Sequence, residues 1–342
     1  MKILLTVDPE IPVPPSYYGG IERIVDQLAH EYNQRGHSVV LVAHPDSTCI
    51  GATRRYSWHG KSSTSWDDIR RNTFQLWSIC LLEKPDMIHS FSRLLYLYPL
   101  FMKNNPPIVQ SYQRKITPHS VHYAGIIAGR QLQFTACATH LYRDMQHNNS
   151  RWHTVFNFTD TAYFTPKNVP SRKYLLFLGR LEPIKGVHDA IEVAQRCGMR
   201  LIIAGNIAKG KEEYYEKEIR PNLAAPFIEY VGPVNNAQKR DLLRDACALL
   251  FPIHWEEPFG IVMAESLACG TPVLAYPRGS VPEVLENGKT GFLCASVEEM
   301  ATKVRQIGYL DRNICRQVAE ERFSGTVAAQ QYLRLFEAML YA

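Results

Sequence analysis

The chain has 342 residues, of which 46% are hydrophobic and 21% charged, with a formal net charge of +5. At roughly 100–200 residues per domain this length reads as two domains, and the apolar share excludes a disordered chain. The eight cysteines stand singly, with no CxxC or Cys/His cluster, so neither a disulfide framework nor a zinc site is indicated.

In chain order, Lys2–Val7 is a short apolar run, too short for a secretory leader and followed by Asp8, Pro9 and a Pro-rich stretch. Helical spacing follows over Ile21–Gln34, closed by Gly36, and His37–Ala43 is a β-branched strand candidate. A helix is expected at Trp66–Lys84 and strands at Asp86–Ser90, Ile108–Tyr112, Thr135–Ala138 and Thr154–Phe156. Strands separated by helices imply right-handed crossovers and a parallel, doubly wound sheet.

Around Thr165–Lys173, prolines and polar residues break the pattern and suit a linker. Alternation then restarts. Strand Tyr174–Gly179, helix Gly186–Cys197, strand Leu201–Ala204, helix Lys211–Leu223 and strand Ile228–Val231 come first. Helix Asn236–Ala246, strand Ala248–Pro252, helix Phe259–Cys269, strand Pro272–Ala275 and terminal helices complete the chain. The expected class is α/β, with two doubly wound, Rossmann-like domains facing across a cleft. The first is expected over residues 1–164 and the second over 165–324, with a helix at about 325–342 packing back onto the first.

Three segments carry chemistry. Tyr18-Gly19-Gly20-Ile21-Glu22 opens a helix after the first strand, where backbone N–H groups can approach a phosphate or sugar, although loops also use such pairs for tight turns. It lacks both GxGxxG and a P-loop. Next, Gly179-Arg180-Leu181-Glu182-Pro183-Ile184-Lys185-Gly186 places two cations near a strand end. Arg180 and Lys185 there can clamp a diphosphate, or Arg180 can pair with Glu182 and Lys185 remain solvated. Third, Trp255 to Pro272 carries Glu257 in a loop and Glu265 about two turns into the next helix. Carboxylates suit sugar or ribose hydroxyls, and the first-turn amides of Phe259, Gly260 and Ile261 suit an anion. A Glu on an apolar helix face is costly unless it has a partner.

These segments, with Gly279-Ser280-Val281-Pro282-Glu283 and Asn287-Gly288-x2-Gly291-Phe292-Leu293, occur in one order. They resemble the retaining glycosyltransferases of the family-four type, which have the GT-B fold. The resemblance spans nearly the whole chain and is strongest from about Tyr174 to Leu293. It implies that Arg180 and Lys185 hold the donor diphosphate. Glu265 matches the ribose-binding member of the Glu-x7-Glu pair and Glu257 the member beside the transferred sugar. The Phe259–Ile261 amides would hold the sugar hydroxyls and phosphate, and Gly19 and Gly20 would lie by the β-phosphate and acceptor. Asn206 and the Val231-Gly232 turn fall where the family places the base pocket.

Two departures stand out. Where the family usually carries a His contacting the donor sugar, this chain has Gln113-Arg114; Gln113 can hydrogen-bond a hydroxyl but does not titrate near neutrality. His119 and His122 lie nearby and could take the place of that His at the sugar or acceptor, or be merely solvated, and Arg114 is a further candidate contact there. Phe156-Asn157-Phe158 stands where the family tends to have Pro-Asn-Gly.

The implied reaction is transfer of a hexose, glucose from UDP-glucose as the default, with retention of configuration. The leaving phosphate oxygen would take the acceptor proton. No Asp-x-Asp occurs, so a metal bridging the diphosphate is not indicated; no cofactor, no metal and no nucleic-acid partner are expected. The acceptor would be a saccharide or lipid-linked saccharide. Residues 1–165 hold 16 Lys and Arg against 12 Asp and Glu, which is either ordinary surface charge or attraction to an anionic partner. Arg54-Arg55, Arg70-Arg71 and Arg114-Lys115, with Trp58, Trp66 and Trp77, could approach an anionic bilayer; alternatively Trp66, Ile69, Leu76, Trp77 and Cys80 pack one helix on the sheet. No run reaches the roughly 18–20 apolar residues of a membrane span, so a cytoplasmic protein, peripheral at most, is expected. The alternatives are a non-catalytic nucleotide-sugar-binding subunit and a sugar-nucleotide epimerase of the same fold.

Overall fold

The computed structural model describes residues 1–15, 19–102, 105–148, 151–167 and 173–341. Tyr18 of the glycine motif and residues 168–172 of the expected linker lie outside them. The chain divides into two compact units, Met1–Asn157 with Gly325–Ala342, and Phe158–Ser324.

The first unit is a seven-stranded sheet of β1 (Lys2–Thr6), β2 (Ser38–Ala43), β3 (Arg54–Ser57), β4 (Met87–Ser90), β5 (Ile108–Tyr112), β6 (Leu132–Ala136) and β7 (Trp152–Thr154). All pairings are parallel in the order β3-β2-β1-β4-β5-β6-β7, with Ile3 opposite both Val39 and Met87. The inner strands are covered on both faces, which suits apolar runs such as Ile3–Leu5 and Val39–Ala43, while β4 and β5 also bury the polar His89, Ser90, Gln110 and Ser111. Helix α1 (Gly20–Gln34) buries Ile24, Val25, Leu28, Ala29 and Tyr32, one stripe at helical spacing. Helices α2 (Trp66–Glu83) and α3 (Pro118–Ala128) follow.

The sequence misses β3. Its Arg-Arg-Tyr-Ser is a polar edge strand, held partly by Arg54 and Tyr56, which both reach Glu83 (2.5 and 2.6 Å). The sixth and seventh strands lie two or three residues earlier than expected. Helix α2 corrects the packing reading: Ile69, Leu76 and Cys80 are buried, but Trp66 and Trp77 are 77% and 40% exposed. Trp58 is the reverse case. It is buried, and its indole N–H donates to the Val7 carbonyl at 2.7 Å, so it has no face for a bilayer.

The second unit is a six-stranded parallel sheet in the order β10-β9-β8-β11-β12-β13. Its strands are β8 (Tyr174–Leu178), β9 (Arg200–Ala204), β10 (Ile228–Gly232), β11 (Ala248–Phe251), β12 (Val273–Ala275) and β13 (Gly291–Leu293). Its helices are α4 (Val187–Cys197), α5 (Glu212–Tyr214), α6 (Asn236–Asp245), α7 (Ile261–Ala268), α8 (Val281–Val284), α9 (Val297–Val304) and α10 (Arg312–Phe323). The single helix expected over Lys211–Leu223 is instead α5, a π turn at Tyr215–Ile219 and a 3-10 turn at Arg220–Ala224. Pro221 lacks an N–H for a regular helix there.

The units divide at Asn157/Phe158 rather than at 164/165. Thr159 belongs with the second unit because its N–H donates to the Phe323 carbonyl at 2.9 Å and it bridges to Ser324. The terminal helix α11 (Gly325–Leu340) belongs to the first unit. Its Tyr332 and Phe336 are buried beside His89, with ring centroids at 4.3 and 5.3 Å. His89 is fully buried, with Nδ1 3.1 Å from the Tyr32 hydroxyl and Nε2 2.8 Å from Ser111 Oγ, both within hydrogen-bond distance. Burial lowers its pKa to about 3, so the ring stays neutral.

Candidate donor and acceptor sites

In doubly wound sheets, ligands gather outside the carboxyl ends of the strands where the strand order reverses. In the second unit that point lies between β8 and β11. The turn after β8 brings Arg180 and then Lys185; the loop after β11 brings Trp255 and Glu257. Lys185 Nζ lies 2.6 Å from Glu257 Oε2, which also accepts from the Trp255 indole at 2.9 Å. The ammonium sits 4.6 Å from the centre of the Trp255 ring. Lys185 and Glu257 are largely buried, so this is a built pair and Lys185 is not merely solvated. Arg180 pairs with Glu182 at 2.8 Å while its side chain remains 41% exposed.

The loop geometry depends on close backbone approach. A Cβ at Gly279 (φ 57°) would lie 2.4 Å from the Glu257 backbone, so only glycine lets this turn brace Glu257. Gly279 N–H donates to Glu256 Oε2 (2.7 Å) and Ser280 N–H to the Glu257 carbonyl (3.0 Å). Gly186 is equally constrained, since a Cβ there would meet the Pro252 carbonyl at 1.9 Å.

Helix α7 begins at Ile261, two residues later than expected, after Gly260 at φ 73° with no side chain capping it. The Phe259 ring is buried against Phe323, and its carbonyl accepts from Ser280 Oγ at 2.8 Å. Glu265 is buried and held by Lys239 of α6, itself 5.0 Å from the Phe164 ring centre. Glu257 and Glu265 thus each have their own lysine. No local pattern marks Lys239, which lies on a different helix in a run rich in charge. Asn206 and Val231, at the ends of the neighbouring β9 and β10, are both exposed.

In the first unit the reversal lies between β1 and β4. Asp8, just past β1, accepts from the Arg93 backbone N–H (2.9 Å) and from the Arg114 guanidinium (2.5 Å). Glu22 in the first turn of α1 is buried against Gly19, where a Cβ would lie 2.9 Å from Oε2; Gly20 is the first residue of α1. Burial raises the pKa of Asp8, with Arg114 opposing it, and burial also raises Glu22. Both Gln113 side-chain polar atoms are buried without a hydrogen-bond partner among the described residues. His119 and His122 are exposed on α3. Glu22 closes the glycine motif without a role assigned to it there, and Asp8 lies outside the three segments, although a carboxylate directly after an apolar first strand is a usable signal.

Residues 18–163 match the family model Glycosyltransferase Family 4, and residues 160–321 match Glycosyl transferases group 1. The chain belongs to the family-four-type glycosyltransferases. A glycogen synthase of Mycobacterium tuberculosis is 35% identical over 149 residues, 42% of this chain and 35% of that protein. A phosphatidyl-myo-inositol mannosyltransferase of Mycobacterium leprae is 30% identical over 180 residues, 49% of this chain and 47% of that protein. The matches span less than half the length of these relatives. Among solved structures, a Rickettsia africae glycosyltransferase aligns with TM-score 0.83 at 17% identity, over 99% of this chain and 98% of the other. Anabaena HepE in complex with UDP and glucose aligns with TM-score 0.77 at 18% identity, over 99% and 100%. This likeness gives the GT-B fold with two Rossmann-like halves. No helix among the described residues is long and apolar enough to cross a membrane.

Proposed function

We propose that this protein is a retaining glycosyltransferase that moves a hexose, glucose from UDP-glucose as the default, onto a saccharide or lipid-linked saccharide without a metal on the diphosphate. The observation that carries this is the Lys185–Glu257–Trp255 cluster at the strand-order reversal, beside the half-exposed Arg180. Arg180 keeps donors beyond its contact to Glu182 and takes the diphosphate as a fork, while Lys185 supplies a point charge. Both stabilise the charge that develops as the diphosphate leaves. Glu257 orients Lys185 and accepts from a sugar hydroxyl, and Glu265 accepts from the ribose. Phe259, Gly260 and Ile261 offer main-chain donors, and Asn206 and Val231 border the base. HepE, solved with UDP and glucose, supports this kind of donor.

On the acceptor side, Gly19 and Gly20 give close backbone approach, and Arg114 is held by Asp8. The unpartnered Gln113 carboxamide is suited to a sugar hydroxyl, since a buried amide without a partner costs about 1–3 kcal/mol until a ligand satisfies it. A membrane-borne acceptor is favoured by one observation. Trp66, Arg70, Phe74, Trp77 and Leu81, all exposed, fall on one stripe of α2, with Arg71 beside it.

The test is calorimetric titration with UDP-glucose, UDP-galactose, UDP-N-acetylglucosamine, GDP-mannose and the free diphosphates, with and without EDTA. One nucleotide series should bind, unaffected by EDTA, and binding should be lost in Arg180→Ala. Binding that requires a divalent ion, or none at all, overturns the reading.

A further inference from the structure

The sequence holds no contiguous cluster of metal ligands, but the fold assembles one. Helix α4 starts at Val187, so His188 and Asp189 occupy its first turn. β11 ends at Phe251, and the chain reaches His254 through Pro252 and Ile253. The His254 backbone N–H donates to the Ile184 carbonyl at 2.8 Å, which ties this loop to the turn leading into α4. His188 Nε2 then lies 3.1 Å from Asp189 Oδ1, and His254 Nε2 lies 3.0 Å from Asp189 Oδ2. The three potential ligand atoms all lie within 4.8 Å of one another.

A tetrahedral zinc ion with bonds of about 2.0 Å sets its ligand atoms about 3.3 Å apart, close to the distance from each imidazole nitrogen to its nearer carboxylate oxygen. The surrounding groups also fit. Tyr214 Oη lies 2.7 Å from His188 Nδ1, so this nitrogen can carry the proton and leave Nε2 free for an ion. The Tyr276 hydroxyl donates to Asp189 Oδ2 at 2.6 Å and fixes the carboxylate. A simple His–Asp ion pair needs one imidazole; here one buried carboxylate gathers two, each ring only partly exposed. A cavity of about 600 Å³ lined by His254, Glu256, Tyr276 and Arg278 gives access from solvent.

We propose that His188, Asp189 and His254 form a binding site for one transition-metal dication of the zinc class. Two imidazoles and a carboxylate suit zinc or its neighbours rather than magnesium or calcium. The ion braces the loop that continues into Trp255 and Glu257 against the first turn of α4, just after Lys185. Its ligands are distinct from Arg180, Lys185 and Glu257, so it steadies the loop without bridging the diphosphate, and donor binding does not depend on it.

The test uses the full chain, stripped with EDTA and desalted, titrated with zinc chloride by calorimetry and with cobalt chloride by absorption. One equivalent should bind. Cobalt should give visible d–d bands with no thiolate charge-transfer band in the near ultraviolet, which separates this site from the eight cysteines. His188→Ala and His254→Ala, with circular dichroism matching the parent, should each abolish that uptake. Tyr214→Phe should weaken it by about tenfold or more. Absence of saturable uptake, retention in both histidine variants, or a thiolate band would overturn the proposal. The titration contains no sugar nucleotide, so its failure leaves the transferase reading intact, and failed donor binding leaves the metal site intact.

Discussion

At the residue scale, three buried groups carry the sharpest expectations. Glu257 holds Lys185 at 2.6 Å in a largely buried pair, so removing one partner strands the other. Glu257→Gln keeps the shape but loses the charge. It should lower turnover by about 10²–10³-fold while changing the donor dissociation constant much less; a radiolabelled-sugar transfer assay beside calorimetry reads both. A change confined to donor affinity would favour a non-catalytic binding subunit instead. Gln113→Ala should raise the donor KM with little change in UDP affinity, measured by the same pair of assays.

His89 links a residue to stability. Its folded pKa of about 3 lies below the unfolded value of about 6.5, so between those limits the unfolded chain binds the extra proton. Its contribution is intact above the unfolded value and is lost as pH falls toward the folded one. From pH 7 to pH 5 the loss should be about 2 kcal/mol. Urea unfolding at both pH values should show that difference shrink in His89→Gln relative to the parent.

At the scale of elements, α2 and α11 make opposite use of aromatic side chains. Helix α11 places Tyr332 and Phe336 inside the first unit, against His89 and Tyr32. Tyr332→Ala should therefore cost about 3–5 kcal/mol, as large-to-small aromatic changes in cores do, seen as a lowered urea midpoint. Helix α2 turns Trp66, Phe74, Trp77 and Leu81 outward beside Arg70 and Arg71. Flotation with liposomes containing anionic lipid should carry the protein upward, and Trp66→Ala/Trp77→Ala should leave it at the bottom. No flotation with any lipid sinks the membrane reading and leaves the aromatic stripe unexplained.

At the scale of the whole molecule, the second unit is one continuous segment, Phe158–Ser324, whereas the first is made of two. The fragment 158–324 contains all six strands of its sheet and the Lys185–Glu257 and Lys239–Glu265 pairs. Expressed alone, it should unfold in a single cooperative step by circular dichroism and retain UDP binding. The fragment 1–324 should be far less stable than the full chain, because it lacks α11.

The sequence by itself determined the two parallel sheets, since runs such as Ile3–Leu5 and Leu249–Phe251 are apolar on successive residues and must be covered on both faces. It also determined the glycosyltransferase motifs, since Gly186, Gly260 and Gly279 mark turns that other residues cannot make. Strand limits and β3 were less legible, because a polar edge strand carries no alternation to read. Only the tertiary structure decided which charges meet. Lys239 with Glu265, Asp8 with Arg114, and His254 with Asp189 arise from different elements, and no local pattern encodes such pairings. Exposure of Trp66 and Trp77 was decided the same way: helical periodicity defines a stripe, but only the packed sheet fixes which stripe is covered.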